Sequence, residues 1–248
     1  MKDETSTTKP LQGKVAVVTG AGRGIGRAIA LGYARAGASV VCSARSHGEI
    51  GQTVSLIEAA GGAALAVPGD VAELASMTAL FAQTVQRFGG LDIVVGNAGV
   101  GGPRGGTIQS VDPVAWAAAI QINLVGAFHT AHAAIPHLRA RGSGKIIFVG
   151  SGMRKAAVAG KSAYAVSKLG LWKLTEVLGV ELQQYNISVN ELIPGPVKTA
   201  MTGFGTQTFP EGEWFKEPED VVPLALFLAT QPDIGPTAQS FSLMRRAG

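Results

Sequence analysis

The chain has 248 residues, 46% of them hydrophobic and only 15% charged, which supplies a large apolar core and excludes an intrinsically disordered protein. The formal charge of +4 is scattered, in no stripe or cluster longer than a doublet such as Arg245-Arg246, so nothing marks a nucleic-acid surface and no nucleic-acid partner is expected. Cys42 is the single cysteine, which excludes an intrachain disulfide and a cysteine pair for metal or redox work and fits a reducing compartment.

The opening residues, MKDETSTTKPLQG, are polar and mixed in charge, unlike the apolar region of a secretory signal. Residues 1–12 are expected to be a flexible tail and 13–248 a single domain. No later apolar run is expected to lack charges over the length of a bilayer span, so the protein is placed in the cytoplasm with no membrane partner.

From Lys14 onward, short β-branched runs alternate with longer stretches of helical period. KVAVVT is followed by a helix over 24–36, SVVCS by a helix over 49–60, ALAVPGD by one over 73–88, and LDIVVGNAG by a long helix within 113–140. KIIFVGS then precedes a helix over 162–184, ISVNELIPG follows it, and a helix over 217–230 leads to a last strand near 240–243. Strands apolar on both faces belong to a parallel sheet covered on both sides. The pattern predicts an α/β, doubly wound Rossmann fold of about seven parallel strands.

Two stretches fall outside this alternation: a glycine-rich one over 100–110, and 201–216, which carries Phe204, Phe209, Trp214 and Phe215. The second is expected to close over an apolar or aromatic substrate or, equally, to anchor its own loop.

The first strand runs into TGAGRGIG, residues 19–26, and then directly into a helix. Glycines there let the backbone turn tightly and approach a pyrophosphate, whose charge a helix N-terminus favours. About twenty residues on, where such folds select between dinucleotides, the second strand ends in Ala44-Arg45 with no carboxylate. An arginine suits a 2′-phosphate, so Arg45, with Arg23 and Ser43 as helpers, favours NADP(H); NAD(H) stays open. Asp70 and the turn Asn97-Ala98-Gly99 fall at the carboxyl ends of the third and fourth strands, where ligands bind.

Tyr164 and Lys168 lie at i, i+4 on one helix face. A free tyrosine, with a pKa of about 10, is a poor base near neutrality, but a nearby ammonium favours the phenolate and makes Tyr164 a credible general acid/base. Ser151 ends the fifth strand, and Asn123 falls inside a long helix, where asparagine forms helix poorly and needs a reason. His129 and His132 share a helix with no acidic or cysteine partner in the motif, so no metal site is expected.

Taken together, Thr19, Gly20, Gly24 and Gly26 in a T-G-x-x-x-G-x-G pattern, Asn97-Ala98-Gly99, Asn123, Ser151, Tyr164, Lys168 and IPGPVKT over 193–199 resemble the short-chain dehydrogenase/reductase family. The resemblance spans roughly residues 13–243. It implies that Ser151 polarises a substrate carbonyl, Tyr164 exchanges its proton, Lys168 lowers the tyrosine pKa and binds the nicotinamide ribose, and Asn123 completes a proton relay. It further implies that Gly20, Arg23, Gly24, Ile25 and Gly26, Asp70 and Val71, Asn97, Ala98 and Gly99, and Pro194, Gly195, Val197 and Thr199 line the cofactor, and that the chain assembles as a homotetramer, with the closing FSLMRRAG at an interface. Gly96 stands where the family usually has asparagine, which implies local looseness or an altered cofactor contact.

The implied activity is an NADP(H)-dependent carbonyl reductase or secondary-alcohol dehydrogenase acting on a small molecule. The alternatives are a 3-oxoacyl thioester reductase, an NAD-dependent alcohol, sugar or steroid dehydrogenase, and a non-catalytic dinucleotide-binding regulator. Arg154 and Lys155, just beyond Ser151, either meet an acidic substrate or face water.

Overall fold

The structure is a computed structural model that describes residues 9–103, 105–205 and 213–245. Its centre is a seven-stranded parallel sheet, ordered β3-β2-β1-β4-β5-β6-β7. The strands are β1 (Val15–Thr19), β2 (Ser39–Ala44), β3 (Ala64–Pro68), β4 (Ile93–Gly96), β5 (Gly144–Val149), β6 (Ile187–Ile193) and β7 (Gln239–Ser242). Central β1, β5 and β6 are buried along their whole length, whereas edge strand β7 is not.

Side chains alternate between the faces of a strand, and here both faces are apolar. Ala16, Val18, Val40, Cys42 and Val95 point to one side, where α1 (Gly24–Arg35), α2 (His47–Ala59) and α7 (Val222–Ala229) pack. Val17, Val41, Val94, Ile146 and Val189 point to the other, against α3 (Leu74–Phe88), α5 (Gly126–Arg141) and α6 (Ser162–Leu182). The doubly wound fold expected from the sequence is therefore present. The chain reverses its winding between β1 and β4, which opens a crevice at the carboxyl ends of those strands.

Several local expectations change. Leu11 is buried, and its N–H donates to the Ala36 carbonyl at 2.8 Å, so the packed chain begins before residue 13; residues 1–8 lie outside the described part. The second helix starts earlier than its apolar period suggested because Ser46 caps it, accepting from the Glu49 N–H. The last helix is divided into a 3-10 turn, Pro218–Val221, and α7.

The long helix also departs from its sequence reading. It consists of α4 (Pro113–Ile120), a π-helical turn (Gln121–Val125) and α5, and over Pro113–Arg141 it is long and apolar enough to cross a membrane. The expectation that no run has that character is thus incorrect. In the fold one face of the helix enters the core, carrying Asn123 and Thr130 with their polar groups satisfied by protein partners.

Gly96 brings no looseness. It pairs with Phe148 across β4 and β5, and a Cβ on it would lie 2.5 Å from Cδ1 of the fully buried Phe148 ring. The aromatic ring fills the space that the glycine leaves. Gly96→Ala is expected to cost about 1–3 kcal/mol by overpacking, read as a lower urea midpoint, with part of the loss recovered when Phe148→Leu is added. An unchanged midpoint for Gly96→Ala alone would contradict this account of the site.

Candidate active site

The crevice is built first from the turn between β1 and α1. Gly20 and Gly24 take φ of +65° and +54°, the left-handed region that favours glycine. A Cβ on Gly26 would overlap the Gly20 carbonyl and the Asn97 amide. Helix α1 has no side-chain cap and no acid in its first turn, although α2 and α4 are capped by Ser46 and Asp112. Its first N–H groups are left for another acceptor, and a bare backbone at a helix N-terminus fits a phosphate anion. Ile25, in that first turn, is half-buried.

Across the crevice, the turn after β4 is tied to this one. The Asn97 side-chain amide donates to the Thr19 and Gly20 carbonyls at 2.9 and 3.2 Å, and Thr19 Oγ1 accepts from the N–H groups of Asn97 and Ala98. Gly99 packs beside Asn123: a Cβ there would be 3.1 Å from its Oδ1. Beyond β6, Pro194 is buried, Gly195 takes φ of +69°, and Val197 bridges to Lys216. The Thr199 methyl group lies 3.1 Å from where Gly24 would carry a Cβ, which brings the IPGPVKT segment against the glycine turn. Segments far apart in sequence thus line one groove.

At the far end of the groove, Arg45 is exposed at the tip of β2. Ser43, expected to assist there, is instead buried, with its hydroxyl packed toward Gly69. Arg23 is exposed and paired with Glu49 at 3.4 Å. Asp70 Oδ1 accepts from the Ala72 N–H at 3.0 Å, and Val71 is buried. Arg27, not singled out from the sequence, donates to the Gly22 carbonyl and the Thr53 hydroxyl and so braces the glycine turn. Its place on α1 one turn past Arg23 was the available signal.

Ser151, Tyr164, Lys168 and Asn123 converge at the other end. Ser151 follows β5 and caps a 3-10 turn, Gly152–Arg154, accepting from the Met153 N–H at 3.2 Å. Its hydroxyl also favours the ionised form of the Tyr164 phenol. Lys168 Nζ donates to the Val149 carbonyl at 2.7 Å and lies 5.8 Å from the Tyr164 ring centre. Asn123 sits in the π-helical turn, where its side chain exchanges two hydrogen bonds with the Val100 backbone, at 2.8 and 2.9 Å, and donates to Ser167 at 3.1 Å. Ser167 in turn donates to the Tyr164 carbonyl. The asparagine that looked out of place in a helix therefore joins the π-helical turn to α6.

Burial raises the Tyr164 phenol above its ordinary pKa, and the Ser151 hydroxyl opposes that. Burial also pulls Lys168 down to about 8, with Glu191 pushing it back up. A phenol, a hydroxyl and an ammonium so arranged can bind an oxygen atom and exchange a proton with it.

Next to Tyr164 opens a cavity of about 460 Å³, lined among others by Ile108, Val111, Trp116 and Val158. Trp116 donates to the Ser162 hydroxyl at 3.0 Å. In the aromatic segment, Phe204 is 72% exposed, Trp214 is half exposed and covers Lys216 at 4.4 Å, and Phe215 is half-buried; Phe209 lies outside the described residues. None of these described rings is among the residues that line that cavity.

The placement of Arg154 corrects a further expectation. Arg154 neither faces water nor reaches toward a substrate; its side chain is 9% exposed and pairs with buried Glu191 at 3.1 Å. A lone acid inside the apolar strand ISVNELIPG was the sequence signal for that partner. His129 has its Nδ1 3.0 Å from the Val71 carbonyl, and His132 lies against Phe128.

The chain matches the short chain dehydrogenase family over residues 14–208. It is 35% identical over 193 residues to a ketoacyl reductase of Nostoc, covering 77% of this chain and 67% of that one. It is 38% identical over 205 residues to an uncharacterized NAD-dependent oxidoreductase of Mycobacterium tuberculosis, covering 77% and 74%. A short-chain type dehydrogenase/reductase from Mycobacterium marinum superposes with a TM-score of 0.86 at 30% identity, over 94% of each chain. On its sequence match, its seven-stranded sheet and these relatives, the chain belongs to the short-chain dehydrogenase/reductase family of oxidoreductases, which bind a nicotinamide dinucleotide.

Proposed function

We propose that this protein is an NADP(H)-dependent oxidoreductase that interconverts a ketone and a secondary alcohol on an apolar or aromatic small molecule. The observation that carries the reading is the meeting of Ser151, Tyr164 and Lys168 beside a cavity with apolar walls, at the end of a groove lined by bare glycine backbone.

The glycine turn and the uncapped start of α1 would hold the pyrophosphate, Asp70 and Val71 the adenine end, and Asn97–Gly99 with 194–199 the nicotinamide end. When bound, the nicotinamide supplies or accepts the hydride. The Ser151 hydroxyl and the Tyr164 phenol hold the substrate oxygen. In reduction Tyr164 gives that oxygen its proton; in oxidation its phenolate removes one. The Lys168 ammonium favours the phenolate, and Asn123 keeps the π-helical turn and α6 in register around the pair. Support for NADP(H) comes from exposed Arg45 and the absence of a carboxylate at Ala44. A 3-oxoacyl thioester is a second substrate reading, favoured by the name of the Nostoc relative.

We place the protein in the cytoplasm, in keeping with its single, buried cysteine, and assign it a homotetramer. Val166, Leu169, Val177 and Val180 of α6 and Phe128 of α5 are large exposed apolar side chains that such an assembly would cover. Sedimentation is expected to give the mass of four chains, and a monomer would overturn the assignment.

Parallel assays of NADPH and NADH against apolar ketones, aromatic ketones and a 3-oxoacyl thioester are expected to show turnover with NADPH ahead of NADH. Tyr164→Phe is expected to lower kcat by roughly 10²–10⁴-fold while dinucleotide affinity persists, because a proton-transfer group alone is lost. Tight NADPH binding without turnover on any of these substrates would favour a regulatory protein.

Ser151→Ala removes the hydroxyl that opposes the effect of burial on Tyr164. The phenol then ionises at higher pH, and oxidation needs the phenolate. The acid limb of the pH profile for alcohol oxidation is expected to move upward; a limb that stays in place would contradict this role for Ser151.

A further inference from the structure

Behind the Ser151, Tyr164 and Lys168 group lies a second set of buried charges that the reaction as described does not call on. Glu191, in β6, is fully buried. Its Oε2 accepts from the Ser240 hydroxyl of β7 at 2.7 Å and lies 3.1 Å from Nε of Arg154. Arg154 ends the 3-10 turn that Ser151 caps, and its guanidinium lies over the Trp172 ring at 4.4 Å. Trp172 follows Lys168 by one turn of α6, on the face that also carries Tyr164. The pair therefore joins the Ser151 turn to the helix of Tyr164 and Lys168.

The other carboxylate oxygen, Oε1, has no hydrogen-bond partner among the described residues. It fills the space that a side chain at residue 150 would need, so a Cβ on Gly150 would overlap it. Gly150 directly follows Val149, whose carbonyl receives the Lys168 ammonium. The unpartnered oxygen thus lies against the backbone segment that holds the lysine.

We propose that Glu191 is a positioning residue for catalysis, held by Arg154 and Ser240, that acts through Lys168 by keeping a negative charge behind its ammonium. The proposal rests on the reading of Tyr164 and Lys168 as the proton-transfer pair. A carboxylate away from water is costly unless countercharges offset it: burial raises the Glu191 carboxyl pKa, and the Ser240 hydroxyl and the Arg154 and Lys168 cations pull it back down. Lys168 in turn faces Glu191 from β6 and, on its own helix, the Tyr164 phenol. Burial alone drives the lysine toward its neutral form, and the carboxylate restrains that.

Carbonyl reduction needs the phenol and the ammonium together. Neutralising Glu191 lets Lys168 lose its proton at lower pH. Reduction then ends at lower pH. A side chain that served only to fill space would change kcat or thermal stability without moving the pH profile.

The test is Glu191→Gln beside Glu191→Asp, which retains the charge. In unliganded protein, ¹³Cε-lysine NMR, with Lys168 assigned by its absence in Lys168→Met, follows the ammonium directly. Its titration in Glu191→Gln is expected about one pH unit below that of the parent protein, with the alkaline limb of kcat/KM for ketone reduction moving the same way and Glu191→Asp close to the parent. Should Glu191→Gln fail to fold, the double variant Glu191→Gln/Arg154→Met, which leaves no unpaired buried charge, gives the decision, with the same downward shift of Lys168 expected. A Lys168 titration unmoved in the folded variant overturns the proposal. Turnover that survives Tyr164→Phe would instead overturn the reading of the site itself, so the two failures are distinguishable.

Discussion

The candidate chemistry hangs on one ammonium kept out of water. Lys168 donates to the Val149 carbonyl at 2.7 Å from a position where burial works against its charge. An ammonium on the surface would be solvated and screened and would do little for a neighbouring phenol. Inside, its influence is large, but its proton becomes easier to lose. The surroundings of Lys168 are arranged around that conflict, with the carbonyl at the end of β5, the Tyr164 ring on the same helix face and the Glu191 carboxylate from β6.

The parallel sheet makes this arrangement achievable. All seven strands run the same way, so each loop that follows a strand emerges at the same edge. Ser151 follows β5, Gly195 follows β6, and the glycine turn follows β1, yet they share one groove. The reversal between β1 and β4 opens the groove, and Asn97 spans the opening with hydrogen bonds to Thr19 and Gly20. α1 alone would present only a bare N-terminus. The neighbouring turns give that terminus a wall and a direction.

Close packing explains several residues that look anomalous one at a time. Gly96 is matched to the Phe148 ring, Gly150 to the Glu191 carboxylate and Gly26 to the Gly20 carbonyl. In each case an absent side chain on one element accommodates an atom from elsewhere, because protein interiors leave few voids. Asn123 follows the same logic in polar form. Its amide satisfies the Val100 backbone where the long helix is locally rewound, and it reaches Ser167 on α6.

The Ser151, Tyr164, Lys168 and Asn123 set was singled out by its resemblance to the short-chain dehydrogenase/reductase family. From the amino-acid order alone came the alternation of strands and helices, the parallel sheet and the glycine turn. These were legible because strand period, helix period and short-range spacing are local properties of the chain. Tertiary structure decided what side chains meet across elements. Ser43 and Arg45 are two residues apart and would share a strand face, but β2 ends at Ala44, so Ser43 is buried within the sheet and Arg45 is exposed past its end. Arg154 read as meeting an acidic substrate or facing water until β6 supplied Glu191, and Gly96 read as a source of looseness or an altered cofactor contact until β5 supplied Phe148. Such pairings depend on which strands become neighbours, and that is set by the packing of the whole sheet, not by the residues on either side in sequence.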